Sequence, residues 1–188
     1  MNLKKAAMFG LDARIALAIF GALSVISGAA LYSAIQESRV VSLIAELSEI
    51  EKAIEQYYLD TGHMVPQKGS TSDGLFEELV TSSEIGWNGP YVSRERRDDI
   101  SLYDGTATGY IVLRLGEKSS VTYSRQACSD LSDDDCVYWL EWYAIDKDIK
   151  NKIDERIDGV LGGNNGKVRV CPSGTCGVGS LIYRLDIK

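Results

Sequence analysis

The run IALAIFGALSVISGAALYSAI, Ile15–Ile35, contains no charged residue. A hydrocarbon core about 30 Å thick is crossed by roughly 20 apolar residues at 1.5 Å rise each, so this run is long enough to span a bilayer. After Gln36 the pattern changes. Val40, Val41, Ile44, Leu47, Ile50, Ile54, Tyr57 and Tyr58 recur three and four residues apart, while Glu37, Arg39, Glu46, Glu49, Glu51, Lys52 and Glu55 fill much of the other side. That spacing predicts a helix with one face buried on a domain. No proline or glycine cluster separates the halves, so one helix is expected from Met8 to Leu59, ended at Asp60-Thr61-Gly62. A membrane-spanning half followed by an amphipathic half decides the rest.

Composition sets the outer bounds. Of 188 residues with net charge -7, removal of the apolar segment leaves one domain of roughly 130 to 150 residues, enough for its own core. No basic face is visible, which argues against nucleic acid. His63 is the only histidine and is expected to be a solvated loop residue. With no nucleophile–base pairing and no cofactor loop, an enzyme is not expected. Gly162-Gly163-Asn164-Asn165-Gly166 lacks the lysine and hydroxyl residue of a phosphate-binding loop.

Cys128, Cys136, Cys171 and Cys176 are an even set behind a membrane segment, which favours disulfides in an oxidising compartment. Four cysteines allow three pairings; short loops favour Cys128 with Cys136 and Cys171 with Cys176. The Cys171–Cys176 spacing is too wide for a redox or zinc-knuckle motif, and no metal site is assigned. The acids of Ser129–Asp135 leave calcium as the one candidate ion.

At the N-terminus, Lys4 and Lys5 are the only charges before Asp12. By the positive-inside rule they keep that end cytoplasmic and send the rest across. A secretory signal peptide has the same opening, but the apolar run is long for one. Cleavage after Ser27-Gly28-Ala29 would also cut the helix in mid-pattern, so a retained anchor is preferred. Asp12 and Arg14 stand at the entrance to the span, where a carboxylate is costly unless it is paired or reaches the headgroups. Within the span Ser24 and Gly28 are four apart and would allow close helix approach.

Lys4-Lys5, a short leader, a small residue and then an acid before a long apolar helix resembles the class III signal of type IV pilins and type II secretion pseudopilins. In that family prepilin peptidase cuts after the small residue, the new amine is methylated, and an acid at the fifth mature position pairs with a neighbouring subunit's amine. Cutting between Ala7 and Met8 makes Asp12 that acid, although alanine and aspartate are less usual there. Cutting between Gly10 and Leu11 keeps the usual glycine but puts Ile15 at the acid position. The Ala7/Met8 register is preferred.

Two further segments carry the resemblance. Tyr57-Tyr58-Leu59-Asp60-Thr61-Gly62-His63-Met64-Val65-Pro66 is similar to the turn that follows the long helix in that family. Physically, Gly62 can adopt a left-handed helix end and Pro66 prevents resumption. Gly86-Trp87-Asn88-Gly89-Pro90-Tyr91 resembles a run found in major pseudopilins. Its glycines and proline preset a turn, and its aromatic rings can pin that turn to a domain. Calcium in those relatives is held by a C-terminal loop of which this chain has no clear copy.

Elsewhere, Ser72–Val80 reads as a short capped helix and Arg94–Asp99 as a solvated loop. Gly109–Leu115 and Ser120–Tyr123 read as strands joined by a turn at Gly116-Glu117-Lys118. Val137–Asp158 reads as one helix ended by Gly159, with Asp154 and Asp158 as solvated charges partnered by Lys150, Lys152 and Arg156. Ile153–Gly159 followed by Gly166–Val170 resembles the C-terminal part of some pilins, which implies an edge strand near Val168, and Leu181–Leu185 reads as a last strand.

The expected fold is α+β and pilin-like: a long N-terminal helix packed on a small antiparallel sheet with disulfide-bearing loops. The resemblance implies a leader at 1–7 (or 1–10), a membrane and filament-core helix at 8–36, and a periplasmic or extracellular domain at 37–188. It further implies a structural subunit of a type IV pilus or type II secretion pseudopilus. That subunit would be held in the inner membrane before assembly and partnered by copies of itself, prepilin peptidase, the assembly platform and lipid. The competing readings are a single-pass anchored periplasmic binding or adaptor protein that does not polymerise, and a soluble protein released by signal peptidase.

Overall fold

The structure is a computed structural model. It describes residues 3–106, 108–118, 128, 136–161, 166–170 and 180–187, with the side chains of 3–9 and 11 left aside. The strand expected at Ser120–Tyr123, the acidic run 129–135, the glycine-rich segment 162–165 and the Cys171–Cys176 pair lie outside the described residues. The chain forms two compact units, Met1–Val41 and Ser42–Lys188.

Helix α1, Leu3–Thr61, starts five residues before and ends two residues after the expected Met8–Leu59. From Ile15 to Ile35, within the first unit, its side chains are open: Leu17, Phe20, Leu23, Val25, Ile26 and Leu31 are all exposed. The helix is long and apolar enough to cross a membrane, and nothing in its most apolar window is buried. In the second unit the helix changes character. Leu47, Ile50, Ala53, Ile54 and Tyr57 are buried at helical spacing, while Tyr58, included in the expected stripe, is exposed. Gly62 takes the left-handed conformation at φ 78°, and its N–H closes on the Tyr58 carbonyl oxygen at 2.8 Å.

The stripe is covered by a five-stranded antiparallel sheet. Its strands are β1 Ser101–Tyr103, β2 Tyr110–Glu117, β3 Cys136–Trp142, β4 Val168–Val170 and β5 Leu181–Arg184, in the order β1-β2-β3-β5-β4. Register assigns the faces. Leu113 lies opposite Leu140, Leu115 opposite Tyr138, and Leu140 opposite Tyr183, so these residues share one face. That face meets α1: Tyr183 Oη donates to Glu51 Oε2 at 3.4 Å, and the Asp186 N–H donates to Glu51 Oε1 at 3.2 Å. Tyr138 Oη donates to the Val65 carbonyl oxygen. Burial pushes the Tyr138 phenol above its ordinary range, with the nearby Tyr57 adding to the effect.

The opposite face carries Val112, Arg114, Trp139, Glu141, Arg169, Ile182 and Arg184. Arg114 is buried there between Glu141, whose Oε2 lies 3.2 Å from Arg114 Nε, and Asp73. Helix α2, Lys147–Asp158, packs against β4. Cys128 and Cys136 form a disulfide at the entry to β3.

Several local expectations are corrected. Val137–Asp158 is not one helix, because its first part is β3. Tyr138, Leu140 and Trp142 point to one side while Trp139 and Glu141 point to the other, and all five are buried. A strand covered on both faces loses the alternation that would reveal it. Ala144, at φ 63°, separates β3 from α2, and Asp146 Oδ1 caps α2 by accepting from the Asp148 N–H at 2.8 Å.

Ser72–Val80 contains only a 3-10 turn, Phe76–Leu79. Its backbone bonds the sheet instead: the Leu115 N–H donates to the Ser72 carbonyl and the Gly74 N–H to the Leu113 carbonyl. Gly116 and Glu117 belong to β2 rather than to a turn. Arg94–Asp99 is tied down, with Arg94 on Glu46 at 2.6 Å, Arg96 on Glu77 at 2.8 Å and Asp99 on Lys68 at 2.7 Å. Asp154 is buried, and Asp158 accepts from the N–H groups of Lys167 and Val168 at 2.9 and 2.8 Å, so neither is a solvated charge. The edge strand at Val168 and the strand at Leu181 are present, and Gly159 ends α2 at φ 75°.

Tyr138→Phe should lower the stability of the detergent-solubilised chain by about 1–3 kcal/mol, because it leaves the Val65 carbonyl without its buried donor. Urea unfolding followed by tryptophan fluorescence checks this; an unchanged midpoint would mean that the hydroxyl carries no structural weight.

Candidate functional site

The residues singled out in Gly86–Tyr91 assemble against the C-terminal turn of α1. Gly86 has φ 92°, a value that suits only glycine, and a Cβ there would overlap the Asp60 carbonyl oxygen. The turn can lie on the helix end only because that atom is missing. The Gly89–Pro90 peptide is cis. Trp87 Nε1 donates to the Glu78 carbonyl at 2.8 Å, and the Tyr91 N–H donates to the Leu79 carbonyl at 2.8 Å. The loop is thereby fastened to the 3-10 turn on one side.

Tyr91 fastens the other side. Its hydroxyl donates to Asp60 Oδ2 at 2.8 Å and accepts from the Asn88 N–H at 2.9 Å. The Tyr91 ring meets Trp87 edge-on at 5.7 Å and Tyr57 edge-on at 6.0 Å, within the range where aromatic pairs attract. Tyr57 also meets the His63 ring at 5.8 Å. His63 Nε2 lies 3.4 Å from Glu84 Oε2, an ion pair when the ring is protonated, and both side chains are about half exposed.

Beside this clamp runs a groove of about 700 Å³. Glu46, Glu49, Ile50, Ala53, Pro90 and Arg94 contribute to its walls. Burial pushes the Glu46 carboxyl up, and the Arg94 charge pulls it back. Arg94 also reaches the Tyr103 carbonyl at 3.2 Å and lies over the Trp142 ring at 5.6 Å, so one guanidinium ties α1, β1 and β3 together. The charge run Arg94–Asp99 was visible in the sequence; its partners, 48 residues upstream in the case of Glu46, were not.

The remaining sequence-derived candidates fall elsewhere. Asp12 is an exposed residue of α1, and Ala7, Met8, Gly10 and Leu11 belong to the same helix, which runs unbroken through both candidate cleavage points. Cys128 and Cys136 are bonded to each other. Among the described residues no group of three or more metal-ligating side chains comes together. The geometry at Gly86–Tyr91 is that of a clamp: it fixes a helix end and places a shallow groove next to it. Comparison with family models, with curated proteins and with solved structures finds no match.

Gly86→Ala should destabilise the second unit by about 2–3 kcal/mol, whereas Tyr91→Phe should cost about 0.5–1.5 kcal/mol, since it removes hydrogen bonds but keeps the ring. Comparing the two thermal midpoints tests the clamp, and equal effects would contradict it.

A second outcome concerns alkaline pH. Burial, followed by the charges of Glu78 and Glu84, pushes the Tyr57 phenol from 10.0 to about 12. A group whose native pKa is raised stabilises the fold fully below its unfolded value and loses that contribution as pH climbs through the native one. Stability should therefore fall between pH 10 and 12, and Tyr57→Phe should flatten that fall in unfolding curves taken across the window.

Proposed function

We propose that this chain is a structural subunit of a type IV pilus-like filament or of a type II secretion pseudopilus. In this reading the precursor sits in the inner membrane with its C-terminal domain in the periplasm. Prepilin peptidase removes residues 1–7, and the processed chain, its filament helix at 8–36 and its pilin-like domain at 37–188, joins copies of itself through the apolar half of α1.

The observation that carries this reading is the two-part character of α1. Its span from Ile15 to Ile35 buries nothing, while the same helix from Leu47 to Tyr57 supplies the spine of a sheet domain. A plain membrane anchor needs only the first property. A helix made to both specifications serves a subunit that leaves lipid for a protein surface without unfolding its domain. The clamp of Gly86–Tyr91 on Asp60 supports the reading by holding the last turn of that helix in place. Asp12 is the acid assigned to pair with a neighbour's methylated amine.

The test is the intact mass and N-terminal sequence of the protein taken from its native membrane. A chain beginning at Met8 with one added methyl group is expected. Retention of Met1 would leave the anchored adaptor, and a start after Ala29 would leave a secreted protein; either result sinks the filament. Asp12→Ala should insert normally yet reduce filament yield about tenfold or more, the loss that follows when one partner of a desolvated ion pair is removed. Wild-type filaments from that variant would remove the role given to the acid.

A further inference from the structure

The groove beside the clamp is open to solvent and lies wholly within the second unit. It runs between the outward side of α1 and the segment Pro90–Glu95, and it ends at Tyr103 and Gly105. Ile50, Ala53, Pro90 and Val92 give it an apolar lining. A second depression of about 390 Å³, at Leu59, Asp60 and Asn88, shares Gln56, Pro90 and Tyr91 with the first. Together they follow α1 from Glu46 to Asp60, about 20 Å at 1.5 Å rise per residue. An extended chain of about six residues, at roughly 3.3 Å each, covers that distance.

Charge is spread unevenly along this path. At the larger end, Glu46, Glu49 and Glu95 share the lining with Arg94 and Lys52. Arg94 is spent inward, on Glu46 at 2.6 Å, on the Tyr103 carbonyl and over the Trp142 ring. Glu49 and Glu95, one on each wall, are exposed, and among the described residues neither makes an ion pair. Lys52, also exposed, is the only other cation in the lining, so acid remains in excess. Asp104 lies close enough to repel Glu46, as Glu49 does. At the smaller end the lining holds no cation; Leu59 is exposed, and the Asp60 carboxylate already accepts from Tyr91.

We propose that this groove docks an extended segment of a partner protein, about six residues long. Its lysine or arginine sits between Glu49 and Glu95, and its apolar side chains run toward Leu59. The methylene stem of that basic residue covers Ile50 and Ala53 while its head meets the two carboxylates. Complementary charge speeds the encounter and fixes the direction of the segment, and the apolar lining supplies contact area. The walls are preformed, because the Tyr91 N–H is bonded to the Leu79 carbonyl and its hydroxyl to Asp60, so little ordering opposes binding. The site does not rest on the filament reading, since an anchored chain that never polymerises presents the same groove.

The test uses the full 15N-labelled chain in nonionic detergent micelles. The probe is a hexapeptide of alternating lysine and alanine ending in two leucines, compared with the same peptide carrying glutamate in place of lysine. Saturable shifts of the Ala53, Gln56, Val92 and Tyr103 amides are expected with the basic peptide alone, weakening as salt is raised. The double variant Glu49→Lys, Glu95→Lys changes exposed side chains only and should weaken the apparent affinity about tenfold or more. Gln56→Trp, at the exposed position shared by both depressions, should fill the groove and abolish the response with the charges intact. No saturable shift at these amides, an equal response to the acidic peptide, or unchanged affinity in both variants would overturn the site. Shifts of the same amides with the chain's own concentration, and none with peptide, would give the groove to a second copy and overturn it equally.

Discussion

A helix that is apolar on one side must find a surface to cover that side, and in the second unit this requirement sets the position of nearly everything else. Leu47, Ile50, Ala53, Ile54 and Tyr57 form the stripe, and the face of the sheet bearing Leu113, Leu140, Tyr138 and Tyr183 covers it. Each fully buried side chain of this size contributes about 1.5–3 kcal/mol relative to exposure, so the stripe alone outweighs any single polar contact in the unit. The polar contacts fix registration instead. Glu51 takes Tyr183 and the Asp186 N–H, and Glu46 takes Arg94, so helix rotation is set by two carboxylates one and a half turns apart.

The two faces of the sheet solve different problems. Toward α1 the contacts are apolar, with tyrosine hydroxyls reaching the edges. On the other side Arg114, Glu141, Arg169 and Arg184 are drawn into a largely buried layer where every charge must be answered. Arg114 is answered twice, by Glu141 and Asp73. Arg184 is answered by Asp186, which Lys167 also uses. A buried ion network of this sort gives little net stability, but it penalises strongly any arrangement that leaves one member alone. That penalty makes the register of β2, β3 and β5 hard to shift, since a one-residue slip would move Arg114 and Glu141 onto the face that holds the helix.

Legibility in the sequence followed the range of the forces involved. Helix α1 could be read because its two patterns are local, and Gly62 and Gly159 could be read as stops because a left-handed helix end is a local conformation. Strand β3 could not. Its residues Tyr138–Trp142 are buried on both faces, and a short aromatic run has the same appearance in either secondary structure until its neighbours are known. Strand β1 leaves no signal in the sequence, because the three residues Ser101–Tyr103 are too few to show alternation. Asp158 reads as a surface charge in the sequence because its partners, the N–H groups of Lys167 and Val168, lie 9 and 10 residues on. For the same reason the aromatic order of Gly86–Tyr91 could be seen in the sequence, whereas its attachment to Asp60, 31 residues from Tyr91, could not.

That attachment bears on what the end of α1 is for. The last turn of a helix has carbonyl oxygens with no intrahelical donor, and on an exposed helix it frays. Here Gly62 and Thr61 answer Tyr58 and Tyr57 from within the chain, while Gly86 lies against the Asp60 carbonyl and Tyr91 holds the Asp60 side chain. Four residues thus stiffen a turn that Leu59, 77% exposed, does not help to bury. A loop that moves would have to separate from the helix end. This one is wedged at its narrowest point by a backbone contact that only glycine permits. The arrangement favours constancy of shape at the foot of α1.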